Sequence, residues 1–344
     1  MSQTASFTIK KPRTNVQPLW NIIYGDILKK VVLIAHDLKL FSLLAAQPRT
    51  FAEICSLLSI DPRPAQALLA VLASVELVQV KYDCYSLTLL AEDYLLESSL
   101  TYFGYILDGM IAQDNLYSFE TIKKAVLSNS PQVYGHGELF KSHQEQEDLT
   151  RTFTYTMHSG SMASALLWPD VIDLSGHKLL LDIGGGSGAH AIGATLRWSN
   201  LQAIILDLPL VCEVAQEFVT RYGLQNRINT HMSDMWNDPF PEADLHFYGC
   251  IYHDWSLEKC GFLTQKSFES LESGGRIIIH EVLYNDLKTG PSMAAATDVG
   301  MLLWTEGQQY SGHELLVMLM EAGFTDVQVK SNFGYYSIVT GRKP

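Results

Sequence analysis

Just past the middle of this 344-residue chain, the apolar run KLLLDIG turns abruptly into the helical pattern AHAIGATLRW through Gly184-Gly185-Gly186-Ser187-Gly188. Glycines in such a row are needed where the backbone takes a positive φ or lies against a ligand. The turn follows a strand, and the carboxyl ends of strands are where doubly wound sheets bind ligands. By itself the pattern is ambiguous, since Gly184, Gly186 and Ala189 also satisfy G-x-G-x-x-A, a dinucleotide pattern. Two carboxylates narrow it. Asp182 lies two residues before the first glycine, where it can meet a ligand ammonium and would be unwelcome beside a pyrophosphate. Asp207 ends the next apolar run, QAIILDLP, placed to accept hydrogen bonds from ribose hydroxyls in either kind of site.

Further short apolar runs at 243–249, 276–281 and 327–339 alternate with helical stretches. That alternation indicates a parallel α/β sheet, with 327–330 and 335–341 expected as a terminal hairpin. The first third is different. Residues 20–44 carry apolar positions at helical spacing. Thr50 and Glu53 form a capping box for a short helix, and Asp61-Pro62 opens another. VQVKYDCYSLT then reads as two strands around a Lys81–Cys84 turn. Helix, helix and hairpin suggest a winged helix. Its would-be recognition helix, DPRPAQALLAVLASVEL, carries one basic residue, Arg63, and no row of side chains to read base edges. With 37 acidic residues against 24 basic and a net charge of −13, the chain is a poor partner for nucleic acid or an anionic membrane. A helical packing or dimerisation module is the expectation instead.

Two motifs at later strand ends carry chemistry. Ile251-Tyr252-His253-Asp254-Trp255 follows the apolar run HFYGC, which puts His253 in the ligand crevice as a candidate general base. Ile279-His280-Glu281 ends the next run, and Glu281 stands 28 residues after His253. Strand, helix, strand fits that spacing, so both side chains can emerge on one rim. A carboxylate beside an imidazole fixes its tautomer and stabilises the imidazolium as a proton moves.

LDIGGGSG, LDLP, SDM and HDW, in that order, resemble the S-adenosylmethionine-dependent small-molecule O-methyltransferases of the plant caffeate and isoflavone type and their bacterial polyketide-tailoring relatives. The resemblance covers nearly the whole chain. It implies a Rossmann-like, doubly wound α/β sheet behind a helical winged-helix dimerisation domain at 1–100. Residues 101–168 would be a helical linker contributing to the substrate pocket, and 169–344 the cofactor-binding catalytic domain. Laid on matching positions, it implies that Gly184, Gly186 and Gly188 line the cofactor's methionine end. Asp207 would hold the ribose, Leu208 would touch the adenine, and Asp234 and Met235 would bracket it. Ser161 resembles a serine that contacts the cofactor carboxylate. His253 would be the base, Glu281 the acid that orients it, and Asp254 would lie nearby. Two departures stand out. Gly249 replaces a lysine common in plant members, and Gln309 replaces a second glutamate flanking the histidine. Gln309 can hydrogen-bond the imidazole but supplies no charge.

The implied reaction is an in-line displacement, in which a neutral His253 takes the proton of an attacking phenol or enol. The resemblance implies S-adenosyl-L-methionine as cofactor, S-adenosyl-L-homocysteine as product and no metal, and no clustered ligand set is visible in the sequence to contradict that. Met157, Met301, Trp304 and the aromatics of 102–119 suit a flat or apolar acceptor, and equally an ordinary core. C-methylation and a catalytically silent cofactor-binding scaffold are the rival readings. Five scattered cysteines, no signal-peptide core and no long apolar run predict a cytoplasmic protein with no membrane segment, and N-terminal helices with more apolar residues than a winged helix covers predict a homodimer through that module.

Overall fold

The computed structural model describes residues 11–133 and 147–344. The chain divides into two compact units that part between Ser99 and Leu100.

In the first unit, the helical stretch expected over 20–44 is broken. Helix α1 spans Gln17–Asp37 and α2 spans Leu40–Ala46, with Lys39 between them at φ +57°. Thr50 caps α3 (Phe51–Leu58) with the capping box intact, and Pro62 opens α4 (Pro62–Ser74). Strands β2 (Val78–Lys81) and β3 (Cys84–Leu87) form the expected hairpin. Tyr82 and Asp83 both turn at positive φ, as tight hairpins require. The short β1 (Arg49–Thr50) pairs with β3 and makes the sheet three-stranded. Leu40, Ile54, Leu69 and Leu72 form a buried core under this sheet, and α5 (Leu89–Tyr94) closes the unit.

The second unit opens with α6 (Gly104–Ala112), α7 (Phe119–Ser128) and α8 (Glu147–Ala165). Then β4 (Leu179–Ile183), α9 (Ala189–Arg197), β5 (Gln202–Asp207), α10 (Pro209–Arg221), β6 (Ile228–Met232) and β7 (Leu245–Gly249) follow. The chain ends with α11 (Leu257–Ser270), β8 (Arg276–Val282), α12 (Ser292–Trp304), α13 (Gly312–Glu321), β9 (Thr325–Ser331) and β10 (Tyr336–Arg342). The strand order is β6-β5-β4-β7-β8-β10-β9, parallel from β6 to β8. Strand β10 runs antiparallel to both β8 and β9 and forms the expected terminal hairpin. Both sheet faces are covered. Trp168, Phe218 and Phe247 fill one side, and Tyr248, Tyr252 and Leu263 the other. Because β5 lies on one side of β4 and β7 on the other, the strand order reverses at β4, which opens a crevice at its carboxyl end. Among the described residues no helix is long and apolar enough to cross a membrane.

Candidate active site

The glycine turn leaves β4 at that reversal. Gly184, Gly186 and Gly188 all adopt positive φ, and a Cβ at Gly188 would collide with Ile205. Asp207, at the end of β5, ties the turn down. Its Oδ2 accepts the Gly186 N–H at 2.8 Å and its Oδ1 the Leu208 N–H at 2.7 Å. Burial pushes its carboxyl up to about 6. Asp182 is deeper, 1% exposed. Its Oδ2 accepts the Ala191 N–H from the first turn of α9 at 3.2 Å, while its Oδ1 has no protein partner. Burial pushes this carboxyl up to about 7, with Asp207 adding to it. A buried carboxylate oxygen without a donor suits a cationic ligand, which would satisfy it and hold it ionised. The residues therefore fit the amino acid end of the implied cofactor.

The SDM segment reaches the same turn. Met235 Sδ stands 4.0 Å from where a Cβ of Gly184 would be. Asp234 closes a local turn instead of standing free, with Oδ1 accepting the Trp236 N–H and Oδ2 the Asn237 side-chain amide. Helix α8 also reaches the turn, through a residue that sequence reasoning missed: His158 Nδ1 lies 2.8 Å from Ser187 Oγ. Ser161 follows three residues later on the same helix, half-buried.

His253 sits in a short 3-10 turn, Tyr252–Asp254, just beyond β7. Its Nδ1 lies 2.8 Å from Glu281 Oε2, an ion-pair contact without the alignment of a regular hydrogen bond. The other carboxylate oxygen, Oε1, accepts the backbone N–H groups of Tyr252 at 3.0 Å and His253 at 3.3 Å. Glu281 thus holds both the ring and the turn that carries it. Asp254 Oδ1 is 3.7 Å from the imidazole Nε2. Burial alone would pull the imidazole down, but the Glu281 and Asp254 carboxylates outweigh it and hold it up at about 9. The two carboxylates therefore favour the protonated ring, while burial favours the neutral one. Burial in turn raises the Asp254 carboxyl to about 6, against the opposing pull of His253.

The expected hydrogen bond from Gln309 to the imidazole is not formed. Gln309 is 1% exposed and both side-chain amide atoms lack a partner. Its backbone N–H donates to Asp298 Oδ1 at 2.7 Å, which draws the segment toward α12. Nearby, a Cβ at Gly307 would collide with the backbone from His253 to Trp255, a close approach only glycine permits. The other departure also has a physical reason. A Cβ at Gly249 would meet His190 Cδ2 at 2.6 Å, so the His190 ring occupies the room a lysine needs. The view that no ligand cluster exists needs correction too. Cys250, His253 and Glu281 bring one donor atom each within 4.8 Å of one another. Two of these residues, His253 and Glu281, already form the imidazole–carboxylate contact.

Met157 and Phe153 stand one helical turn apart on α8, and Met301 and Trp304 on α12. The Phe153 and Trp304 rings meet at 6.4 Å, and the Trp304 indole N–H donates to Tyr117 Oη at 3.3 Å. Helices α8 and α12 thus meet at Phe153 and Trp304, and Trp304 and Tyr117 are the residues named from sequence that are brought together here, while Met157 is 40% exposed.

A ligand crevice over a doubly wound sheet, with an imidazole paired to a carboxylate beyond a neighbouring strand, defines a Rossmann-like ligand-binding fold. The chain belongs to the S-adenosylmethionine-dependent O-methyltransferases: residues 119–325 match the O-methyltransferase domain and residues 20–97 the O-methyltransferase dimerisation domain. It is 30% identical to 3-hydroxy-5-methyl-1-naphthoate 3-O-methyltransferase of Streptomyces sahachiroi, over 86% of this chain and 85% of that protein. It is 29% identical to acetylserotonin O-methyltransferase of Bos taurus, over 93% and 95% of the two chains. The crystal structure of human N-acetylserotonin methyltransferase in complex with SAM superposes with a TM-score of 0.84, at 25% identity, covering 97% of this chain and 99% of that one.

Proposed function

We propose that this enzyme methylates a phenolic or enolic hydroxyl of a small, flat, natural-product-like molecule, with His253 as general base and S-adenosylmethionine as cofactor. The carrying observation is the 2.8 Å contact between His253 Nδ1 and Glu281 Oε2. It commits one ring nitrogen to a carboxylate, and Nε2, 3.7 Å from Asp254 Oδ1, would face the acceptor hydroxyl. When bound, the cofactor supplies an electrophilic methyl group on a sulfonium leaving group. The chain's own residues orient the acceptor and take its proton. A phenol has a pKa near 10, so the neutral form of an imidazole held up at about 9 is basic enough to receive that proton as the oxygen attacks.

Gly184, Gly186, Gly188 and Asp182 would hold the methionine end and Asp207 the ribose. Leu208, Asp234 and Met235 would enclose the adenine, and Ser161 the carboxylate. Phe153, Met157, Met301 and Trp304 would form the acceptor wall. Relatives named for a hydroxynaphthoate and for acetylserotonin support a ring-bearing acceptor. Residues 1–100 would serve dimerisation, 101–168 the substrate pocket and 169–344 the chemistry, in a homodimer. The test is a screen of phenolic, enolic and polyketide acceptors with isotopically labelled cofactor, read by mass spectrometry. On the acceptor found, His253→Ala is expected to cut turnover roughly 10²–10⁴-fold with cofactor affinity nearly unchanged. Near-wild-type turnover at saturating substrate refutes the general base.

A further inference from the structure

Of the five residues 184–188 that make the glycine turn, four are glycine, and Ser187 alone has a side chain. The turn therefore has one side chain by which the rest of the molecule can grip it. That grip is His158. Its Nδ1 lies 2.8 Å from Ser187 Oγ and its Nε2 lies 3.3 Å from the Tyr222 hydroxyl. Its ring stacks on Phe218 of α10, with centroids 3.7 Å apart and planes at 16°. His158 and Ser187 are both buried. Burial pulls the imidazole down to about 3, assisted by Arg221 and His190, so the ring stays neutral and offers one donor and one acceptor.

We infer that His158 is a positioning residue for the cofactor, setting the glycine turn through Ser187. The geometry is that of a clamp. The two residues flanking Ser187 both sit at positive φ, where a turn of glycines has many alternative paths. From the far side Asp207 holds the Gly186 N–H, and from the near side His158 holds Ser187. Helix α10, against which His158 stacks, begins immediately after Asp207 and Leu208. One imidazole therefore links α8, the turn and the helix that follows the ribose carboxylate. An apolar residue would fill the same space without the polar contact, so packing alone does not call for a histidine.

The inference rests on the glycine turn being the cofactor site, and the test separates the two. Binding of S-adenosylmethionine and S-adenosylhomocysteine is measured by calorimetry alongside the melting temperature of the cofactor-free protein. His158→Phe keeps the ring on Phe218 and loses the contact to Ser187. His158→Asn keeps a polar atom near the Nδ1 position and loses the ring. A positioning role predicts that His158→Phe weakens cofactor binding roughly 3- to 10-fold, the range of one net hydrogen bond. It should leave kcat at saturating cofactor nearly unchanged, while His158→Asn binds cofactor better than His158→Phe despite melting lower. Ser187→Ala should match the loss in His158→Phe, and the double variant should lose no more than either alone. A purely structural histidine gives the opposite order, with His158→Asn worse in both stability and affinity. That order, additive losses, or wild-type affinity in Ser187→Ala overturns the inference. Failure of the wild-type protein to bind either sulfur cofactor overturns the cofactor reading itself, and this inference with it.

Discussion

At the scale of single residues, the electrostatics around His253 set the pH behaviour. Burial opposes its charge, yet Glu281 and Asp254 raise it to about 9. On the proposed mechanism His253 acts only when neutral, so turnover should climb with pH through the neutral and mildly alkaline range. Removing the Glu281 charge lowers the imidazole pKa, because the carboxylate is what holds the proton on. In Glu281→Gln the acid limb of the pH–rate profile should therefore move to lower pH by roughly 1–3 units. The plateau should fall as well, since the amide cannot stabilise the imidazolium formed in the reaction. Profiles of kcat against pH for both proteins check this, and an unmoved limb refutes the electrostatic account. Gln309 offers a second test. Its buried amide has neither donor nor acceptor satisfied, a state costing about 1–3 kcal/mol per group. Gln309→Leu should therefore raise the melting temperature. If Gln309 meets the acceptor, the same change should also raise the acceptor KM several-fold. Greater stability with unaltered KM would remove Gln309 from the acceptor site.

At the scale of elements, Gly307→Ala probes how the 3-10 turn is held. The new methyl group would strike backbone atoms from His253 to Trp255, which cannot rotate away. Overpacking of this kind costs typically 1–3 kcal/mol, and the displaced turn should lose contact with Glu281. We expect at least tenfold lower kcat with a lower melting temperature, whereas Gly300→Ala, which meets open space, should do neither. Activity assays and thermal melts on the two variants decide it. Elements with strong local patterns were legible in sequence. The apolar runs became β4, β5, β7, β8 and the terminal hairpin, and Thr50 with Glu53 capped α3 as its spacing requires. Strand β6 was not, because INTHM is an edge strand exposed over most of its length, and its identity comes from pairing with β5. The break between α1 and α2 was hidden because Lys39, neither glycine nor proline, takes the left-handed turn. The site divides the same way. The glycine turn, Asp182, Asp207, His253 and Glu281 all stand at strand ends, where chain order predicts proximity. His158 and Asp298 make contacts between segments distant in sequence, and nothing in their local pattern marks them.

At the scale of the whole molecule, the N-terminal unit leaves an unusual amount of apolar surface uncovered. Leu19, Trp20, Ile22, Ile23, Tyr24 and Ile27 are all exposed along the first part of α1, with Val16 just before it. Soluble monomers rarely present so contiguous an apolar face, and from Trp20 onward these residues lie at the start of the segment matching the dimerisation domain, 20–97. The occupant expected on this face is a second copy of the chain, and an obligate interface of that kind should bury at least about 2,000 Å² in total. Charge argues in the same direction: at −13 per chain, two copies repel at long range, so association must come from apolar burial at close range. Dimerisation should therefore withstand high salt, which screens the repulsion and leaves the hydrophobic term intact or strengthened. Placing a charge in the face should break it. Ile23→Asp, with the side chain 59% exposed, adds no strain within the unit, yet buries an unpaired carboxylate in the interface. Light scattering at micromolar concentration should report a dimer for the wild-type protein in low and high salt, and a monomer or a much weaker dimer for Ile23→Asp. A wild-type monomer at that concentration, or an Ile23→Asp dimer as tight as wild type, would remove α1 from the interface.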